Sequence, residues 1–174
     1  MIDLDWKAVR VRLASIDDAE FIAKLRSAES ARNFLSPSEL SVESQIKFLE
    51  SYLLRHEDGK DYYFIYSYKS VDFGVNRIYN VSKHFGTSGS WVCLEKTDIR
   101  LVLYTYYYMR KYFFETLKLK FDLMDTRVDN KNVLKLHKIF GAKHLGIIDE
   151  DSFEVVTLSD YRKSIGKFEK IIFG

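Results

Sequence analysis

The residues best suited to proton chemistry are His137 and Glu95. His137 stands in NVLKLHKIFG, between Lys135 and Lys138. Imidazole titrates near neutrality, so it can give or take a proton at physiological pH. The competing reading is a histidine at the surface of a basic helix, or at the edge of a bound ligand. Glu95 follows the apolar run SWVCL, where a carboxylate can act as a base or hold a water, or can simply be solvated. Asn130 precedes a periodic apolar stretch, and its short amide is suited to capping free backbone N–H groups. Cys93 lies within the apolar run and reads as a buried, inert thiol rather than a nucleophile. With one cysteine in the chain there is no internal disulfide, and no CxxC or Cys/His cluster offers a metal site. His84 and His144 show no partner spacing and read as structural.

Around His137 the chain spells FDLMDTRVDNKNVLKLHKIFGAKHLG. Phe121 to Val128 suits a strand entering a core, Asp129-Asn130 a turn and N-cap, and Val133, Leu136 and Phe140 a helical face. Gly141 sits where a C-cap glycine closes a helix. Upstream, Ala8 to Leu13 alternates as a half-buried strand does. Ser15 with Asp18 forms a capping-box start for a helix carrying Phe21, Ile22 and Leu25. SAESARNFLSPSEL reads as a loop or broken helix, after which Ser41 caps a helix with Val42, Ile46, Leu49 and Leu53 at helical period. Tyr62 to Tyr68 and Val71 to Tyr79 pair as a hairpin across Lys69-Ser70, Asn80 to Gly89 is a loop, and Ser90 to Leu94 is a third strand.

Asp98 to Leu119 carries two signals. LVLYTYYY has strand composition, but some 20 residues without Gly or Pro are too long for an ordinary strand, and helix is the assignment. The tyrosines at 104 and 106 to 108 are then core packing rather than an acceptor site. Strands from His144 to Ile148 and Phe153 to Leu158 meet across Asp149-Glu150-Asp151, and Ser159-Asp160-Tyr161 opens a short last helix. The order β, α, α, β, β, β, α, β, α, β, β predicts an α+β fold: a mixed, mostly antiparallel sheet of about seven strands with helices on both faces.

The totals agree with a single domain spanning 1–174. Apolar residues make up 47% and charged residues 30%, a globular balance. A net charge of +2 with no basic block argues against nucleic acid. The start MIDLDWKAVR is acidic where a signal peptide is basic and apolar. With no long uncharged apolar segment, the expectation is a cytoplasmic chain without a membrane partner.

Asn130, Leu136, His137 and Gly141 together resemble the N-x-x-x-x-x-L-Y-x-x-x-G-F signature of the GNAT N-acyltransferases. VRLASIDDAEFIAKLR with SVESQIKFL, Gly74, Tyr112-Phe113-Phe114-Glu115 and SFEVVTLSDYRK resemble the subgroup with ribosomal-protein and amino-sugar-nucleotide N-acetyltransferases. The resemblance covers nearly the whole chain. It implies acetyl-CoA as co-substrate and a primary amine as acceptor, an amino-sugar nucleotide before a protein N-terminus. It implies pantetheine between splayed strands at Ser90–Leu94 (Val92, Cys93 and Leu94 included) and Asp122–Val128, with Asn130 and Val133 beside it. His137 takes the place of the tyrosine that protonates the departing thiolate, and Glu95 is the candidate base. Arg32, Phe34 and Trp91 would line the acceptor pocket. The family's pyrophosphate turn, Arg/Gln-x-x-Gly-x-Gly/Ala, falls on Glu95 to Arg100. Asp98 and Arg100 fill both glycine positions there, so Lys96 and Arg100 would hold phosphate by charge. The missing glycines and the absent tyrosine also fit a GNAT-shaped module without turnover, and the aromatic helix offers a face for a homodimer.

Overall fold

The computed structural model describes residues 4–28 and 41–174. Seven strands form one sheet in the order β1-β2-β3-β4-β5-β7-β6. They are β1 (Val9–Leu13), β2 (Tyr62–Tyr68), β3 (Val71–Tyr79), β4 (Phe85–Cys93), β5 (Phe121–Arg127), β6 (Lys143–Ile148) and β7 (Asp151–Thr157). Every neighbouring pair is antiparallel except β4 and β5. Lys69 and Ser70 both have positive φ, the turn geometry that matches the twist of a two-residue hairpin.

Helices α1 (Ala19–Ser27) and α2 (Val42–Glu57) cover one face of the sheet. Ile22, Leu25, Leu49 and Tyr52 pack there on Tyr63, Ile65 and Val75. Ser15 donates its backbone N–H to Asp18 (2.8 Å), closing the predicted box, and Ser41 accepts from Ser44 N–H at the start of α2. The other face carries α3 (Ile99–Lys111), α4 (Lys131–Ile139) and α5 (Leu158–Phe173) over the larger core cluster.

The ambiguous segment is helix. Leu101, Thr105, Tyr106, Met109 and Arg110 are buried on one side of α3, and a π turn (Tyr112–Thr116) extends it where consecutive Phe113 and Phe114 are both buried. Its tyrosines are spent inside the chain: Tyr106 and Tyr107 are buried, and Tyr104 packs against Trp6 and Phe173. The N-terminal turn (Trp6) and α5 (Phe173) pack over part of this aromatic side, where Leu103, Tyr104 and Tyr108 stay half-buried.

Several expected boundaries move: β7 runs Asp151–Thr157 rather than Phe153 to Leu158, taking Asp151 from the expected turn, and β6 starts one residue early at Lys143. β4 begins at Phe85, inside the expected loop. Gly86 read as a loop residue, but a Cβ there would lie 3.2 Å from Leu119 and Phe113, so the strand needs glycine for close packing. The last helix is not short. Tyr161, Ser164, Phe168 and Ile172 bury its inner side, and Thr157 with Asp160, rather than Ser159, forms the capping box.

Candidate functional site

The site begins with two strands that part. β4 and β5 pair only at Phe85↔Phe121 and Gly86↔Asp122. Immediately beyond, the Ser88 N–H is taken by a side chain: Asp122 Oδ1 accepts it at 3.0 Å, and Oδ2 accepts from Ser88 Oγ at 2.9 Å. Arg110, fully buried, forms an ion pair with Asp122 and donates to Ser88 Oγ (3.1 Å) and to Tyr106 Oη (2.6 Å). A buried carboxylate is sustained only when paired and hydrogen-bonded, and α3 supplies that pair from the sheet's covered face. The Asp122 side chain thus takes the place of the next rung between the strands.

A bulge adds to the divergence. Asn76 on β3 faces both Ser90 and Trp91, between the pairs Val75↔Val92 and Arg77↔Gly89, and Ser90 adopts φ +50°. Such a bulge bends a strand and re-aims the residues beyond it. Asn76 Nδ2 donates to the Thr105 carbonyl (2.9 Å), while Trp91 Nε1 donates to Thr105 Oγ1 (2.8 Å). These bonds fasten the bulge to α3.

Between the parted strands lies a cleft of about 520 Å³. β4 and the turn after it contribute one wall from Ser88 through Glu95, including Val92, Cys93 and Leu94; α3 contributes Val102, Tyr106 and Met109. The far wall is Asp125–Arg127 of β5 and the first turns of α4, with Asn130, Val133 and His137. Asn130 Oδ1 accepts from Val133 N–H (3.3 Å), so this residue caps the helix and faces the cleft together. Gly141, at φ +81°, ends α4 in the left-handed region that favours glycine.

His137 is 5% exposed. Its Nδ1 lies 2.5 Å from Glu154 Oε2 on β7, and its ring stacks on Tyr106 with centroids 5.8 Å apart. Burial holds its pKa below the usual value; Glu154 raises it and nearby Arg110 lowers it further. Neutral imidazole is therefore the resting form. Burial also pushes the Cys93 thiol up to about 12, which leaves it un-ionised at neutral pH and without nucleophilic strength.

The other expected site residues fall in several places. Glu95 is exposed, in a turn beyond β4 at the mouth of the cleft. Trp91 is half-buried and turns toward α3, where its ring lies tilted beside Tyr106 with centroids 5.2 Å apart; it lines the cleft wall. Lys96, Asp98 and Arg100 do not line the cleft. Asp98 caps α3, accepting from Arg100 N–H (2.9 Å) and pairing with the Arg100 guanidinium (3.3 Å). The Arg100 hydrogen bonds hold its carboxyl below the usual range. The helix end expected to meet phosphate thus carries an internal carboxylate. Arg32 and Phe34 lie outside the described residues.

Sequence reading missed Arg110, Asp122, Ser88 and Glu154. Asp122 and Arg110 were legible only as charges in apolar surroundings, and Glu154 as an acid in the strand FEVVTL. Among the described residues no cluster of three or more His, Cys, Asp or Glu could hold a metal ion, and no helix is long and apolar enough to cross a membrane.

No protein-family model matches the sequence, and no curated protein matches it by sequence. Solved structures do. A nucleotide-linked sugar GNAT, apo FdhC, matches with TM-score 0.82 at 24% identity, over 99% of this chain and 98% of that one. RimJ of Mycobacterium smegmatis, in complex with CoA-disulfide, matches with TM-score 0.80 at 14% identity, over 94% and 88%. Spermidine N-acetyltransferase from Vibrio cholerae, in complex with CoA and spermine, matches with TM-score 0.72 at 14% identity, over 90% and 99%.

Proposed function

We propose that this chain, which has the fold of the GNAT acetyltransferases, transfers an acetyl group from acetyl-CoA to a primary amine. The observation that carries this reading is the cleft opened by Asp122 and Arg110, with His137 in its wall. Beyond Gly86 the β5-facing edge of β4 is released from its neighbour. A pantetheine arm laid there would bond that edge as an added strand does, through amide groups of its own. Val133 and Asn130 bound it on the α4 side.

In this reading the protein's contribution is alignment and charge placement. The β4 edge orients the thioester so that an amine approaching from the α1–α2 side meets the carbonyl carbon. Effective concentration of this kind supplies much of the rate in such transfers. As the C–N bond forms and the C–S bond breaks, sulfur leaves with its electron pair, and His137 is the residue in the cleft wall suited to protonating it. At the phosphate end the residues fit less well, because Asp98 repels an anion at the helix terminus that Lys96 and Arg100 attract. Donor affinity is therefore modest.

For the acceptor we favour an amino sugar carried on a nucleotide, supported by the full-length likeness to a nucleotide-linked sugar GNAT. The likeness to RimJ supports a protein N-terminus as the second reading. A panel assay of thiol release, with amino-sugar nucleotides, polyamines and N-terminal peptides, separates these. Turnover only on sugar nucleotides is expected. Turnover only on peptides rejects the sugar, and no turnover on any amine leaves a binding module.

A further inference from the structure

We propose that Glu154 is a positioning residue that presents His137 to the cleft as a proton acceptor, with the ring hydrogen fixed on Nδ1 and the Nε2 lone pair left for the reacting amine. The inference rests on the acyltransferase reading and assigns it a base.

Glu154 lies on β7 between Phe153 and Val155, and its side chain is on the buried face with Ser152 and Val156. It is 7% exposed, and its Oε2 meets His137 Nδ1 at 2.5 Å. A carboxylate only accepts, so the hydrogen in this contact belongs to Nδ1. That choice fixes the other nitrogen. In the neutral ring, Nε2 then carries the lone pair, and it has no hydrogen-bond partner among the described residues. The ring cannot readily turn away, since Tyr106 stacks on it and is itself held by Arg110.

The titratable groups around the ring are Glu154, Arg110 and Tyr106, with Asp125, Arg127 and Glu95 elsewhere on the cleft wall. Burial and Arg110 favour the neutral ring, and Glu154 moderates that preference. An imidazole so held does what a phenol in the same place does not do at neutral pH: it accepts first. The amine proton passes to Nε2 as nitrogen attacks the thioester carbon. The imidazolium, paired with Glu154, then returns that proton to the departing sulfur. One proton moves from nitrogen to sulfur, no redox change occurs, and Glu95 at the exposed mouth is not needed as a base.

The test uses the unliganded full chain, labelled with nitrogen-15 at its histidines, and reads tautomer and titration of His137 by long-range proton–nitrogen NMR. His137→Asn assigns the signal. The expected wild-type spectrum is the Nδ1–H tautomer. In Glu154→Gln the His137 midpoint should fall by roughly one pH unit, because a favourable charge is lost. The acid limb of kcat/KM should fall with it, and Glu154→Asp should restore part of both. An Nε2–H tautomer in the wild type, or an unmoved midpoint in Glu154→Gln, overturns the proposal. The wild-type tautomer decides even if Glu154→Gln does not fold. If the Nδ1–H tautomer is found but no amine is acetylated, the acyltransferase reading has failed, and the proposed use of the base fails with it. An Nε2–H tautomer in an active enzyme overturns this proposal alone.

Discussion

A buried imidazole with a carboxylate on one nitrogen and a cleft at its ring makes two separable predictions. His137→Phe should lower kcat by about 100- to 10,000-fold with little change in KM, because a proton matters only as charge develops. Steady-state kinetics with acetyl-CoA check this; a raised KM with near-normal kcat would make His137 a binding contact. The second prediction concerns folding. The folded pKa of His137 lies below the unfolded 6.5, chiefly through burial. The unfolded chain therefore binds a proton that the native chain resists, and stability falls as pH drops below about 6.5. His137→Gln should lose less stability than wild type on acidification across that window, as read by urea denaturation. His137 was legible in the sequence because its spacing from Asn130 and Gly141 is local. Glu154 was not, since it lies 17 residues away in sequence and meets the ring only after β7 docks beside β5.

At the scale of elements, the cleft depends on a side chain standing in for a strand rung. Arg110→Met should destabilise the protein by about 3–5 kcal/mol, because it leaves Asp122 buried and unpaired. The double variant Arg110→Met with Asp122→Asn should recover part of that loss. Gly74 gives a second element-level test. A Cβ there would lie 2.7 Å from Cys93 Sγ and 3.3 Å from the Val92 carbonyl. Gly74→Ala should cost about 1–3 kcal/mol, as overpacking does, and Cys93→Ala in the same chain should relieve much of it. For the start of α3, Asp98→Gly removes the internal anion while costing the cap only a few tenths of a kcal/mol. Affinity for CoA should rise on the order of 2- to 5-fold. The helical reading of 99–111 came from length and charge spacing, against a strand-like composition. The parting of β4 from β5 was implied by family resemblance alone, because a carboxylate intercepting a backbone N–H has no sequence pattern.

For the whole molecule, hydrophobic period, segment length and turn residues were enough to place the seven strands and five α-helices of the described residues in chain order. Ser41, Lys69-Ser70, Asn130 and Gly141 mark the ends of the elements beside them. The ends of elements were less legible where glycine serves packing rather than turning, as at Gly86, and where a long amphipathic helix contains a glycine, as at Gly166. The two faces divide the labour, with α1 and α2 over β1–β4 and α3, α4 and α5 over the other side. The cleft opens where the parallel pair interrupts the antiparallel sheet. In the proposed function this opening receives an acyl-CoA. Isothermal titration of the full chain with acetyl-CoA tests it most directly. Saturable binding at one site per chain is expected, weakened by Val133→Trp in the cleft wall. Absence of binding at millimolar acetyl-CoA, in a protein shown to be folded, would contradict it.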